Sequence, residues 1–168
     1  MKFHQIITSL VTLIILSSCG YTGKIGGGSS SKQRKSSTSK IYFEDAKMEK
    51  VQNLAVEEIK PIFLDFYTDW CAPCKWLEKD AFETEAAASY FNKNLVNKKI
   101  NAEKGEGIEL AQKHSVRAYP TIIFLRPNGQ EISRHVGMTT ASSLVSMAKK
   151  AVLIMENEKK AAEAKAKK

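Results

Sequence analysis

The chain has 168 residues, of which 43% are hydrophobic and 26% charged, with a formal net charge of +8. That composition is globular, its three cysteines exclude a disulfide-dense scaffold, and no apolar run reaches the length a membrane-spanning helix needs. Residues 41–155 hold fifteen basic and fifteen acidic side chains, so the surplus lies at the two ends; a nucleic-acid-binding domain carries its basic patch on the folded part, and no nucleic-acid partner is expected.

In chain order, Lys2 and His4 open a segment whose apolar run, Ile6–Leu16, is broken only by Thr8, Ser9 and Thr12. The run is too short to span a bilayer and suits the apolar core of a secretory signal. It ends in Leu16-Ser17-Ser18-Cys19, which resembles the lipobox of bacterial lipoproteins: a branched apolar residue, two small residues, then cysteine. The resemblance implies a signal peptide over residues 1–18, cleavage before Cys19 and acylation of its thiol. The plainer alternative is an ordinary signal with a stray cysteine. Acylation would remove a thiol that is otherwise unpaired in an oxidising compartment.

In residues 20–40, Gly, Ser, Thr, Lys and Arg fill 18 of 21 positions, which cannot bury a core. Residues 19–40 are therefore expected to form a lipidated, disordered tether with a reach of about 25 Å. Lys32, Arg34, Lys35 and Lys40 would add contacts to anionic head groups.

Residues 41–155 alternate in pattern. A helix is expected over Ala46–Ile59, with a further strand before it at Ile41–Glu44. Pro61–Tyr67 reads as a buried strand, because it is a short, aromatic-rich apolar run. Pro73–Phe91 reads as one long helix with Leu77, Ala81, Phe82 and Ala86 inward. Leu95–Asn101 is a strand, Gly107–His114 a short helix and Thr121–Leu125 a strand. Asn128-Gly129 is a hairpin signal before a strand at Glu131–Val136. Ser142–Met155 is a helix with Leu144, Val145, Ala148, Ala151 and Val152 on one face. Residues 156–168 continue it as a charged helical or frayed tail, with Ala as its only apolar residue type. Alternating elements that end in a hairpin imply an α/β fold, a mixed sheet with helices on both faces.

The chemistry is expected at Cys71 and Cys74. Trp70-Cys71-Ala72-Pro73-Cys74-Lys75 follows the first strong strand and opens a helix. A cysteine there meets unpaired backbone N–H groups, which favour the nucleophilic thiolate. The first cysteine is expected to be the exposed one and the second shielded in the first turn. Pro73 fits that turn because its missing N–H costs nothing there. A zinc half-site finds only His114 and His135 as further ligands, without metal spacing, so no metal is expected. A purely structural disulfide closing so short a loop would stabilise little.

Residues 61–137 resemble thioredoxin-fold oxidoreductases. Asp65-Phe66-Tyr67-Thr68-Asp69-Trp70-Cys71-Ala72-Pro73-Cys74-Lys75 is similar to thioredoxin's active-site stretch, with Ala72 where thioredoxin has glycine. Tyr119-Pro120-Thr121 resembles the family's cis-proline motif, and Asn128-Gly129 and Gly137 fall in register. Asp69-Trp70-Cys71, Cys74-Lys75, Glu78 and Phe82 resemble the C-terminal soluble domain of DsbD-type interchange proteins. Only 18 residues separate Asn101 from Pro120, so the insertion usual in cytochrome c maturation thioredoxins is missing.

The resemblance implies roles. Cys71 attacks a partner's disulfide and Cys74 resolves the mixed disulfide, leaving Cys71–Cys74 oxidised. Pro120, with Tyr119 before it, sits beside the sulfurs where backbone groups hold a substrate strand. Trp70 shields one flank. Asp65 is a buried carboxylate beneath Cys74 that takes its proton, with a pKa raised by burial and tempered by Lys99. Glu78 reads only as a solvated helix residue.

The function expected is a lipid-anchored reductant of disulfides in bacterial cell-envelope proteins, fed by a membrane electron donor. No cofactor is expected, because Gly26-Gly27-Gly28 lies in the linker without a strand and helix around it. A disulfide oxidase or isomerase on the same site is the alternative. A binding module with a vestigial redox pair is the reading from another class.

Overall fold

The computed structural model describes residues 39–167. The signal, Cys19 and all of the tether before Ser39 lie outside the described residues. The elements are α1 (Met48–Glu58), β1 (Ile62–Tyr67), α2 (Ala72–Leu77), a π-helical turn (Glu78–Phe82), α3 (Glu85–Asn94), β2 (Val96–Asn101), α4 (Glu106–Lys113), β3 (Thr121–Leu125), β4 (Glu131–Val136) and α5 (Ala141–Ala166). The sheet runs β2-β1-β3-β4, with β1 parallel to β2 and antiparallel to β3, and β4 antiparallel to β3. This is the mixed sheet of a thioredoxin fold.

β1 and β3 are central strands, which explains why IFLDFY and TIIFL are nearly unbroken apolar runs. Successive side chains alternate between two cores. Ile62, Leu64 and Phe66 pack with Val51 and Ala55 of α1 and with Leu110 of α4. Phe63 packs on the other face with Leu77, Phe82, Phe91 and Leu144, from α2, the π turn, α3 and α5. Its ring lies 4.8 Å from Phe91 and 5.4 Å from Phe124, centroid to centroid. Burial of each such side chain contributes about 1.5–3 kcal/mol.

Two expectations are corrected. Ile41–Glu44 is not a strand: it is an extended segment held by isolated bonds, Ile41 N–H to Phe82 O at 2.9 Å and Glu44 N–H to Asn97 O at 2.8 Å. The helix expected over Pro73–Phe91 is two helices. Its first part ends in the π turn, where the Glu83 N–H reaches Glu78 O at 3.0 Å, and the second restarts with the Thr84 hydroxyl accepting from Ala87 N–H at 3.3 Å. That restart resets the helical phase, so Ala86 is exposed while Ala87, Ala88 and Phe91 are buried. The last helix continues past Met155 to Ala166, as expected of its charged tail, and Arg126 grips that tail through Glu158 at 2.6 and 3.0 Å.

Among the described residues no helix is long and apolar enough to cross a membrane. One glycine bears on the site. A Cβ on Gly107 would lie 1.9 Å from Asn101 O, so only glycine lets α4 start this close to the end of β2.

Candidate active site

β1 ends at Tyr67, and the chain turns through Thr68, Asp69 and Trp70 into α2. The Cys71 N–H closes that turn on Thr68 O at 3.2 Å. Cys71 is the N-cap of α2 and its Sγ accepts from the Cys74 N–H at 3.1 Å. Pro73 occupies the first turn, as its chemistry favours. Cys71 and Cys74 are joined as a disulfide with Cα atoms 5.3 Å apart. Both residues are buried, Cys71 at 2% and Cys74 at 6% exposure, which corrects the expectation of an exposed first cysteine. In the disulfide form the Cys71 sulfur folds back over the helix start. The N–H that meets it there is a donor that would also favour thiolate after reduction.

The loop after β2 holds the flank. The Trp70 indole N–H donates to both carboxylate oxygens of Glu103, at 3.0 and 3.1 Å. Asp69 accepts from Asn101 Nδ2 at 2.8 Å and pairs with Lys104 at 2.6 Å. Trp70 stays 68% exposed and meets Tyr119 edge to face, with centroids 6.0 Å apart. The Tyr119–Pro120 bond is cis, as the resemblance implied, and Pro120 O accepts from Gly137 N–H at 2.8 Å. The structure therefore brings Tyr119, the residue before cis Pro120, against Trp70, the neighbour of Cys71. Glu103 was not read from the sequence, since nothing local pairs it with an indole 33 residues away.

Asp65 is 2% exposed and projects to the sheet face that α2 covers. Its Oδ1 has no hydrogen-bond partner among the described residues. Burial pushes its pKa up to about 7; the Lys99 ammonium works against that rise and the Glu78 carboxylate adds to it. Lys99 is the cross-strand partner of Asp65 in the β1–β2 register. Its Nζ is bound to Glu78 at 2.6 Å and lies 4.8 Å from the Tyr67 ring. Glu78 is thus more than a solvated helix residue: it takes up part of the positive charge that faces Asp65.

Asp65 is thus a buried carboxyl raised toward neutral pH, on the sheet face covered by the helix whose start carries the two cysteines. A thioredoxin family model matches residues 42–150. The DsbD thiol:disulfide interchange protein of Vibrio vulnificus is 37% identical over 81 residues, which is 48% of this chain and 14% of that protein. The chain thus spans about one-seventh of that relative. Mitochondrial thioredoxin-2 of Schizosaccharomyces pombe is 36% identical over 99 residues, 56% of this chain and 67% of that one. A Bacteroides thetaiotaomicron protein described as a candidate disulphide-isomerase, solved in solution, superposes with TM-score 0.61 at 39% identity over 68% of this chain and 94% of that one. The structure of a DsbH oxidoreductase shares the fold at TM-score 0.59 and 19% identity, over 67% of this chain and 85% of that one. With a family match over residues 42–150 and an intact cysteine pair, the chain belongs to the thioredoxin family of thiol:disulfide oxidoreductases.

Proposed function

We propose that this protein is a membrane-anchored reductant of disulfides in cell-envelope proteins. The observation that carries the reading is the Cys71–Cys74 pair at the start of α2, on the sheet face that buries Asp65. The Cys71 thiolate attacks one sulfur of the partner's disulfide, and the partner's other sulfur leaves as a thiolate. Asp65 accepts the Cys74 proton, directly or through a water. The Cys74 thiolate then displaces the partner from Cys71, forming the Cys71–Cys74 disulfide. Two electrons pass to the partner, which departs as a dithiol. Trp70, Tyr119 and Pro120 receive the partner's strand.

Similarity to part of DsbD supports an extracytoplasmic setting and a membrane electron donor that returns the two electrons. Residues 1–18 would be the signal, Cys19 the lipid anchor, residues 19–40 the tether, residues 41–155 the catalytic domain and residues 156–168 its solvated tail. Release of the protein from the membrane fraction, or an uncleaved precursor, is the expected outcome of Cys19→Ser.

The Bacteroides relative supports a second reading, disulfide isomerisation or oxidation. Equilibration with glutathione separates the two. A Cys71–Cys74 potential near the about −270 mV of thioredoxin fits a reductant, and one near −180 to −120 mV fits an isomerase or oxidase. Cys74→Ser should accumulate mixed disulfides through Cys71, and Cys71→Ser should trap none; the opposite pattern would reverse the assigned roles.

A further inference from the structure

The segment before α1 is not a strand, yet it is fastened much as one would be. The Asn92 side chain accepts from Tyr42 N–H at 2.7 Å and donates to Lys40 O at 3.0 Å, and the Asn97 side chain donates to Tyr42 O at 3.0 Å. Two side-chain amides thus stand in for a neighbouring backbone along residues 40–42. The Ile41 and Glu44 N–H groups are bonded as well, and Ile41, 3% exposed, is sunk into the core. Phe43 is half-buried beside it on this strap, with its ring centre 5.6 Å from that of Phe82 and 6.1 Å from that of Phe63.

The same ring also meets a charge. Lys99 Nζ lies 5.8 Å from the centre of the Phe43 ring and 4.8 Å from that of Tyr67, with Glu78 Oε2 at 2.6 Å. An ammonium set against two aromatic rings is attracted by both quadrupoles. Lys99 is the cross-strand partner of Asp65, so the place where its charge rests matters to the buried carboxyl. Burial raises the Asp65 pKa, Lys99 works against that rise and Glu78 adds to it. The Lys99 side chain is 22% exposed and that of Glu78 45%. A cleft of about 230 Å³ is lined by Phe43, Phe82 and Glu78, with Lys40 and Glu83 as its other charged residues, so the Lys99–Glu78 pair has room to turn outward once a ring is lost.

We propose that Phe43 is a positioning residue for the resolving step, acting through Lys99 on Asp65: with Tyr67 it keeps the ammonium facing the carboxyl. The polar site is complete only while the strap is docked. This role rests on the disulfide exchange and the base proposed above, and it adds a residue from outside the cysteine motif.

The test follows the Asp65 carboxyl directly, by its NMR chemical shift from pH 4 to 9 in the disulfide form, beside the pH inflection of the resolution step. Phe43→Leu keeps an apolar side chain on the strap and removes the aromatic face. We expect both inflections to move to higher pH by about half a pH unit, the scale of one partly exposed cation–aromatic contact. Phe43→Tyr, which keeps the face, should titrate as the wild type does. In a Lys99→Met background, Phe43→Leu should move neither inflection, because the charge that it places is gone. No movement in Phe43→Leu, a movement to lower pH, or an equal movement without Lys99 overturns the role; the last two would report water let in by a looser strap. A wild-type carboxyl that titrates near pH 7 with no inflection in the resolution step would instead bring down the reading of Asp65 as the base, a failure that the carboxyl shifts tell apart from a misplaced Lys99.

Discussion

On one face of β1, Ile62, Leu64 and Phe66 pack into an apolar core with α1, α4 and the adjoining strands, and the His114 ring lies beside Phe66. On the other, Phe63 does the same at the start of the strand, and two residues later the pattern is broken by Asp65. The two faces share a backbone and a depth of burial, with all of Ile62–Phe66 buried. They differ in what burial achieves. An aliphatic side chain there adds stability at every pH. A carboxyl there is stabilised only while it is protonated, because its charged form has lost its water. The face that α2 covers therefore gives up stability above neutral pH, and what it holds is a carboxyl that ionises near neutral pH, the base proposed for Cys74.

The largest expected effect separates the faces by pH. The folded pKa of Asp65, about 7, lies above its unfolded value near 3.8, so the folded state holds the extra proton between them. Its contribution is fully present below about pH 4 and is lost as pH rises through 7, with a magnitude of the order of 4 kcal/mol. Denaturant unfolding of the disulfide form from pH 4 to 8 should show this decline. The decline should vanish in Asp65→Asn, which should be the more stable protein at pH 8. A wild-type and variant difference that is flat with pH would contradict the assignment.

The opposite face supplies the control. Leu64→Ala should cost about 3 kcal/mol, from lost burial and the cavity left behind. That cost should show no inflection near pH 7, because the titrating groups on this face, Glu106 bound to Lys98 at 3.0 Å and the buried His114, both have pKa values held below their ordinary ones. A cost that changes through pH 7 would mean that the two faces are not independent.

A smaller effect sharpens the account of the polar face. Glu78→Gln leaves Lys99 without its 2.6 Å partner and removes a negative charge that raises Asp65. The inflection of the stability curve should move to lower pH, by less than the whole displacement that burial causes. No movement would mean that the Lys99–Glu78 pair is too well solvated to act on Asp65.

The parts of this arrangement that were legible in the sequence are those with a local signature. The strands show as short apolar runs, the cysteine pair and Pro73 as a helix start, and Tyr119-Pro120 through its resemblance to a known motif. The raised pKa of Asp65 and its register with Lys99 were also expected. The break between α2 and α3 was not, because a π turn is a change of backbone hydrogen-bond partner that leaves the side-chain pattern almost intact. In Glu85-Ala86-Ala87-Ala88 three alanines in a row give no preferred face, and only Thr84 marked the new start. Glu103 and the partner of Glu78 were invisible for another reason. Each pairs across the sheet or between loops, 33 and 21 residues away, and such contacts exist only after the fold has formed.

The claim that joins fold to chemistry is that Asp65 serves Cys74 and not Cys71. Stopped-flow fluorescence resolves the two steps, with Trp70 and Trp76 as exposed reporters. We predict that in wild type the resolution step, but not the first attack, gains rate through an inflection near pH 7 as Asp65 ionises. Asp65→Asn should slow resolution at pH 8 by about 10²-fold or more, the range of general-base catalysis, and should spare the attack. Equal slowing of both steps, or no slowing of either near neutral pH, would show that the buried carboxylate is not the base.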